Sequence, residues 1–318
     1  MAGAPKYFGR YYKLTLDPPE GNSLVFETKE GEPAMDIKFD VTYARGQTAR
    51  EGTISILGLS MDTMHTFLEL AGMTRGKAMS ELVHIRLDAG YFTKAGHVNI
   101  LDGFAWHATI TSPPTMWLEI KVAEYNPMGG RGVKIKQIGP AVIPNAVQSF
   151  IDNFSGEDGE GVEFVVEDNT EDGIFDSGTK KIILPGGTYT LGDAIRLLNQ
   201  KVDDRIQFIL KTSNDDEGVR TILAIDKEDK KAADGEIYVD GENGLLSVTG
   251  IDAINGCITT FIDGTWDDSM SHLNLTSSLN PQANGRYYII KKQFVGHFMG
   301  QEWYARYFCS AREGDDED

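Results

Sequence analysis

The side chains that could do chemistry are few and scattered. The six histidines, His65, His84, His97, His107, His272 and His297, contain no pair at HExxH or HxH spacing, and none stands in a metal-ligand pattern with a cysteine. His84 (LVHIRL) and His107 (FAWHATI) fall inside apolar alternating stretches and read as ordinary strand residues. Two cysteines, Cys257 and Cys309, are too few for a disulfide scaffold or a four-cysteine zinc site; both lie in apolar, β-like segments and read as small core residues. No Gly-x-Ser-x-Gly elbow exists to present a nucleophile. The glycine-rich stretch Met128-Gly129-Gly130-Arg131-Gly132-Val133-Lys134 lacks the Gly-Lys-Ser/Thr of a phosphate cradle and reads as a loop between domains. Asp168-Asn169-Thr170-Glu171-Asp172-Gly173 looks like half of a calcium loop, but Thr179 stands where a bidentate Glu must close it. Residues 157–176 are therefore expected to form a strand between mobile acidic loops, with no calcium. The carboxylate pairs Asp267–Asp268 (after Trp266) and Glu119 with Glu124 read as surface residues. The expectation is no catalytic, cofactor-binding or metal-binding residue, no cofactor, and no enzyme.

Composition narrows the classes further. With 318 residues, two or three packed units are expected, and 41% apolar residues with four Trp suffice for sizeable cores. No run of about 18 apolar residues exists, so no membrane insertion is expected. The opening MAGAPKYFGRYY lacks a basic-then-apolar signal pattern, which points to a chain that is cytoplasmic at synthesis. Thirty basic against 48 acidic residues give a formal −18, the wrong sign for gripping a phosphate backbone, so sequence-specific nucleic-acid binding is not expected. The runs Glu157-Asp158 with Glu160, Asp215-Asp216-Glu217 and the closing EGDDED read as solvated loops or frayed ends.

The elements that would position these residues are mostly strands. Residues 10–16 (RYYKLTL) and 35–43 (MDIKFDVTY) open the series, the second with Ile37, Phe39, Val41 and Tyr43 alternating strictly. Strands over 53–59, 82–91, 98–110 and 116–125 follow, separated by Gly, Pro and Asp clusters. Six such strands suggest a barrel or a strongly curved sandwich. One helix interrupts them after Ser60, with Met64, Phe67, Leu68 and Ala71 on one stripe, Ser60 or Asp62 as cap and Gly72 as stop; His65 lies off the stripe and is expected in solvent. Near residue 140 the pattern changes. Helices beginning at Pro144–Asn145 (face Val147, Phe150, Ile151, Phe154) and at Thr190 (face Leu191, Ala194, Ile195, Leu198) alternate with short strands over 162–166, 181–184, 205–210 and 219–225. From about residue 236 the chain returns to β, ending in a hairpin of 286–294 and 303–308 whose turn would draw on Gly296 and Gly300 for freedom. No internal repeat shows at the level of residue identity.

Several phrases in this order resemble the phage baseplate hub family. They are RYYKLTLDPPEGNSLVF, MDIKFDVTY, and Ile56-Leu57-Gly58-Leu59-Ser60 running into the helix. Leu87-Asp88-Ala89-Gly90-Tyr91 and Ile100-Leu101-Asp102-Gly103-Phe104 follow. Near the end come Leu279-Asn280-Pro281 and Asn284-Gly285-Arg286-Tyr287-Tyr288-Ile289-Ile290-Lys291, then Gly296, Gly300 and Trp303. The resemblance implies a mainly β chain with a small α+β insert and two β-barrel domains: 1–127 a first barrel with one short helix, 128–235 an α+β middle domain, 236–318 a second barrel with a disordered acidic C-terminus. It implies a homotrimer whose six barrels form a ring in the virion tail baseplate, assembled in the host cytoplasm. Expected partners are a tail tube or tube-initiator protein on one side, a spike or tail-tip protein on the other, and baseplate wedge proteins. DNA would pass through the lumen during ejection, and an acidic bore is expected because phosphates must not be held there. A carbohydrate-binding or adhesive tail β-protein and a cell-wall hydrolase are the competing readings.

Overall fold

A computed structural model describes residues 9–312, apart from 45–48, 73, 75, 94–95, 112–114, 125–130, 157–158, 161, 171–172, 174, 177–178, 203–204, 212–218, 227–236, 242–243, 250–255 and 263–271. The elements run in chain order as β1 (Arg10–Asp17), β2 (Leu24–Glu27), β3 (Ile37–Ala44), β4 (Glu51–Leu57), α1 (Met61–Gly72), β5 (His84–Tyr91), β6 (His97–Ile110) and β7 (Trp117–Ala123). Then come β8 (Val133–Ile135), β9 (Ile138–Val142), α2 (Ile143–Ile151), β10 (Glu163–Asn169), β11 (Lys181–Leu184), β12 (Gly187–Tyr189), α3 (Leu191–Lys201), β13 (Ile206–Lys211) and β14 (Val219–Asp226). The last set is β15 (Ile237–Asp240), β16 (Leu245–Thr249), β17 (Gly256–Phe261), β18 (His272–Thr276), β19 (Gly285–His297) and β20 (Trp303–Arg312).

Alternation sets the strand faces. In β3, Ile37, Phe39 and Val41 point into the core while Lys38, Asp40 and Thr42 point out. The predicted helix is α1. Ser60 Oγ accepts from the Thr63 N–H at 3.2 Å, Met64, Phe67 and Ala71 are buried, Leu68 is only half-buried, and His65 is exposed as expected. The chain is mainly β, as the resemblance implied.

The β segments before and after the middle third join in one sheet, ordered β16-β17-β20-β19-β3-β4-β7-β6-β5-β1-β2, with β18 on β19 and β15 on β18. The join is β3 against β19, antiparallel from Lys291 opposite Ala44 to His297 opposite Lys38. One apolar core accordingly holds both Leu14, Ile54 and Ile120 and Ile258, Leu273 and Phe294. The order also reveals a duplication. The run β3-β4-β7-β6-β5 is repeated as β16-β17-β20-β19-β18, every neighbouring pair antiparallel and the chain order the same in both.

The middle third has its own core. α2 buries Val147, Phe150 and Ile151, followed by buried Phe154, and α3 buries Leu191, Ala194, Ile195 and Leu198 against the sheet β10-β14-β13. Thr190 caps α3 through a reciprocal pair with Asp193, whose N–H reaches Thr190 Oγ1 at 3.3 Å. The core extends into the first β segment through Ala49, Met79, Leu82 and Phe104.

Three sequence expectations need correction. No strand was expected over β9, which contains Pro140; the proline is tolerated because β9 forms only a two-stranded sheet with β11. β18 (HLNLT) was also missed, and it carries buried His272. Gly296 and Gly300 do not supply turn freedom, since neither has positive φ. Both are small for lack of space. A Cβ on Gly296 would sit 2.1 Å from the Phe39 ring, and one on Gly300 would sit 2.2 Å from the His297 ring.

Candidate functional site

Among the described residues no group of three His, Cys, Asp or Glu could hold a metal ion. Asp168, the start of the half calcium loop, spends its carboxylate on its own turn: Oδ1 accepts from the Thr170 N–H at 2.8 Å and Oδ2 from the Asp176 N–H at 2.8 Å. Cys257 and Cys309 are both free thiols. Burial pushes the Cys309 thiol up to about 12, as befits a core residue. Arg131, in the glycine-rich stretch, reaches Glu81 at 3.2 Å. Asp267–Asp268, Glu157-Asp158, Asp215-Asp216-Glu217 and the closing acids lie outside the described residues.

The strongest concentration of ionisable groups lies where the middle third meets the first β segment. Arg220 enters from β14 and is 6% exposed. Its NH2 meets Asp102 Oδ1 at 2.7 Å, its NH1 donates to the Asp102 carbonyl at 3.3 Å, and its guanidinium stacks 5.2 Å from the Phe104 ring. His84 Nε2 lies 2.7 Å from the same Asp102 oxygen and 3.1 Å from Arg220 NH2. A lone pair at that distance would repel the carboxylate, so Nε2 carries the proton and donates to Asp102. His84 Nδ1 faces Asp17 at 3.8 Å. Burial works against ionised Asp102, yet the His84 hydrogen bond and the Arg220 charge hold its carboxyl below the ordinary value.

Glu124, one strand away, is 1% exposed, which corrects its reading as a surface residue. Its Oε2 accepts from the Arg50 N–H at 2.7 Å and its Oε1 faces Arg50 Nε at 3.7 Å. Burial nonetheless pushes Glu124 up to about 7, against the pull of Arg50 and Arg220. Glu160, expected in a solvated loop, is likewise 1% exposed; it accepts from the Met79 N–H at 2.9 Å, and burial pushes it up to about 7. The residues around Arg220 and Asp102 pair with one another, so the arrangement joins the middle third to the first β segment. Sequence reasoning missed it because Arg220 stands 118 positions from Asp102 and 136 from His84, and Arg50 stands 74 from Glu124.

The β3–β19 seam has a second clamp. Arg10 NH1 donates to the carbonyls of His297 (2.8 Å), Phe298 (3.1 Å) and Gly300 (2.6 Å), and its NH2 donates to that of Gln301 (3.2 Å). Asp36 accepts from His297 Nε2 and from the Met299 N–H, both at 3.0 Å. The Trp303 indole N–H donates to the Gly90 carbonyl at 3.1 Å.

Across this seam one sheet face points away from the core. Register places Lys121, Thr53, Asp40, Val295, Tyr304 and Phe261 in one cross-strand row. A shallow groove of about 290 Å³ runs over it. Its cations lie on aromatic rings: Lys38 is 4.1 Å from Trp117, Lys121 5.5 Å from Trp106, and Arg306 4.7 Å from Tyr304. Asp40, Glu51 and Glu302 on the same face are exposed.

Solved structures share this architecture. A tail protein from Neisseria meningitidis MC58 matches with TM-score 0.54 at 7% identity, over 95% of this chain and 97% of its own. A 43 kDa tail protein of prophage MuSo2 from Shewanella oneidensis matches with TM-score 0.52 at 8% identity, over 94% and 96%. The chain has the fold of a phage tail protein. An E. coli component of the type VI secretion system, itself described as structurally similar to the T4 bacteriophage tail proteins gp27 and gp5, matches with TM-score 0.52 at 9% identity, over 90% of this chain and 76% of its own. No protein-family model and no curated protein matches the sequence. The tail-hub resemblance read from short phrases is therefore met by the fold, at identities far too low for alignment by sequence.

Proposed function

We propose that this chain is a structural subunit of a phage tail baseplate, three copies of which form a ring that joins the tail tube to the central spike and lets DNA pass. The observation that carries this reading is the duplicated five-strand sheet, whose halves meet edge to edge at β3–β19. A unit already containing two similar parts can present six similar parts as a trimer. It could thereby mediate between sixfold and threefold neighbours, and closure of such a ring needs only interfaces that return on themselves. The tail fold of the Neisseria and prophage MuSo2 tail proteins supports a place in a virion tail, and the reading assigns the chain no catalytic role.

In this reading the outward face over β7-β4-β3-β19-β20 is the wall of the bore. Its cations are held down on Trp117, Trp106 and Tyr304 while Asp40, Glu51 and Glu302 stand in solvent. Phosphates moving past would meet carboxylates first, and the repulsion acts over roughly 8 Å at physiological salt. Light scattering on the protein alone and with its spike partner tests the ring; the expected result is a trimer. A ring structure with a basic or neutral bore would overturn the assignment of the wall.

A further inference from the structure

The duplication allows the two halves of the sheet to be compared strand by strand. β6 and β19 are the long strands, and each outruns a shorter neighbour. β18 pairs with β19 only over Gly285–Tyr288, and beyond it residues 291–297 of β19 take β3 from the other half. β5 pairs with β6 as far as Phe104, and beyond it β6 runs on to Ile110 with α1 packed alongside. Thr74, two residues after α1, donates through Oγ1 to the Trp106 carbonyl at 3.0 Å, which fixes the helix end to that flank. The turns correspond as well: the Thr111 N–H bonds the Trp117 carbonyl beyond β6, as the His297 N–H bonds the Glu302 carbonyl beyond β19. So α1 stands beside β6 where β3 stands beside β19.

The edge that makes the seam within the chain is β3. Its counterpart in the second half is β16, the last strand of the sheet, which pairs with β17 and with no other described strand. We propose that β16 of one copy docks on the α1–β6 flank of the next, at the place that corresponds to the β3–β19 contact within one chain, with α1 forming part of the receiving surface. This rests on the ring reading and names the surfaces that close the ring. Continuity with the seam supports it, and so does exposed apolar surface on both sides: Leu246 on β16 is 45% exposed and Met61 on α1 is 43% exposed. Natural edge strands are commonly guarded by Lys or Pro. β16 reads LLSVT, and no Lys or Arg occurs from residue 232 to 285, so this edge lacks a Lys or Pro guard; its register shift between Leu245 and Ser247 turns Leu246 out of the ladder with β17. A contact between unlike surfaces of identical copies is the kind that closes into rings.

The test places a photo-reactive benzophenone residue at Leu246 in the full chain and maps the adducts by mass spectrometry. Mixing ¹⁵N-labelled and unlabelled copies separates adducts between chains from adducts within one. The expected adducts fall in residues 61–72 or 105–110 of another copy. Adducts elsewhere, or none from a protein that light scattering shows to be oligomeric, overturn the docking while leaving the ring intact. A protein that stays monomeric overturns both. Separately, Leu246→Asp and Met61→Asp should each weaken self-association at least tenfold while the far-UV circular dichroism of the folded chain stays unchanged, since both side chains lie on the surface. Unchanged self-association in both variants contradicts the proposal.

Discussion

The two joints of this molecule do the same mechanical work with different chemistry. At the β3–β19 seam, Arg10 spends its guanidinium on the carbonyls of four turn residues, which are neutral acceptors. At the junction with the middle third, Arg220 spends its guanidinium on Asp102, beside His84, and nearby Glu124 and Glu160 are buried carboxyls. A clamp on main-chain carbonyls has no partner that titrates. A clamp on buried carboxylates is costly to break and responds to pH, because removing one partner strands a charge out of water. The Arg10 clamp is thus built for constancy, with the Asp36–His297 pair beside it at the seam, and the middle junction carries the larger electrostatic risk.

The largest expected effect follows directly. Arg220→Ala leaves Asp102 buried with only His84, and should cost about 3–5 kcal/mol in urea unfolding; a loss below about 1 kcal/mol would erase the contrast between the joints. Gly296→Val tests the seam from its packing side. The new side chain must displace the Phe39 ring, and a loss of about 1–3 kcal/mol is expected. Phe39→Leu in the same chain should return part of that loss, whereas purely additive losses would show that the ring is not what constrains residue 296. Arg10→Ala should cost about 1–2 kcal/mol, since hydrogen bonds from a charged donor are lost but the carbonyls stay near solvent. That loss should be the same at pH 5.5 and pH 8.

The pH dependence is the most diagnostic. Glu124 and Glu160 have folded values near 7 against an ordinary 4.5, so the folded chain holds protons there that the unfolded chain releases. Their contribution to stability is therefore greatest below about pH 4.5, declines as pH rises towards 7, and is flat above. Asp102 acts in the opposite sense: its lowered carboxyl favours folding above its ordinary value of 3.8 and loses that effect in acid. Between pH 5 and 7.5 the two glutamates dominate, and the melting temperature should fall. Glu124→Gln should flatten that fall and Arg10→Ala should not; a slope unaltered by Glu124→Gln would place the titrating group elsewhere.

Much of the strand layout was legible because alternation reports one buried face, as in Ile37, Phe39 and Val41. The helix stripes were equally plain. The duplication was not, and the reason is visible at the pairs Ala108–Ile120 and Phe294–Ala305. The two pairs hold corresponding inward places, with small opposite large in one and large opposite small in the other. Packing conserves the filled volume of a pair and not the identity of either residue, so the repeat survives in topology alone. The junction was hidden for a different reason. Glu124 and Glu160 look like any surface acid until the fold brings Arg50 and the Met79 N–H against them.

The central claim is that this chain is a ring-forming tail subunit, and its mass in solution tests that most directly. Light scattering on the purified protein, alone and with the proposed spike partner, should give a particle containing three copies of the 35.1 kDa chain. A single 35.1 kDa chain under both conditions would contradict the account.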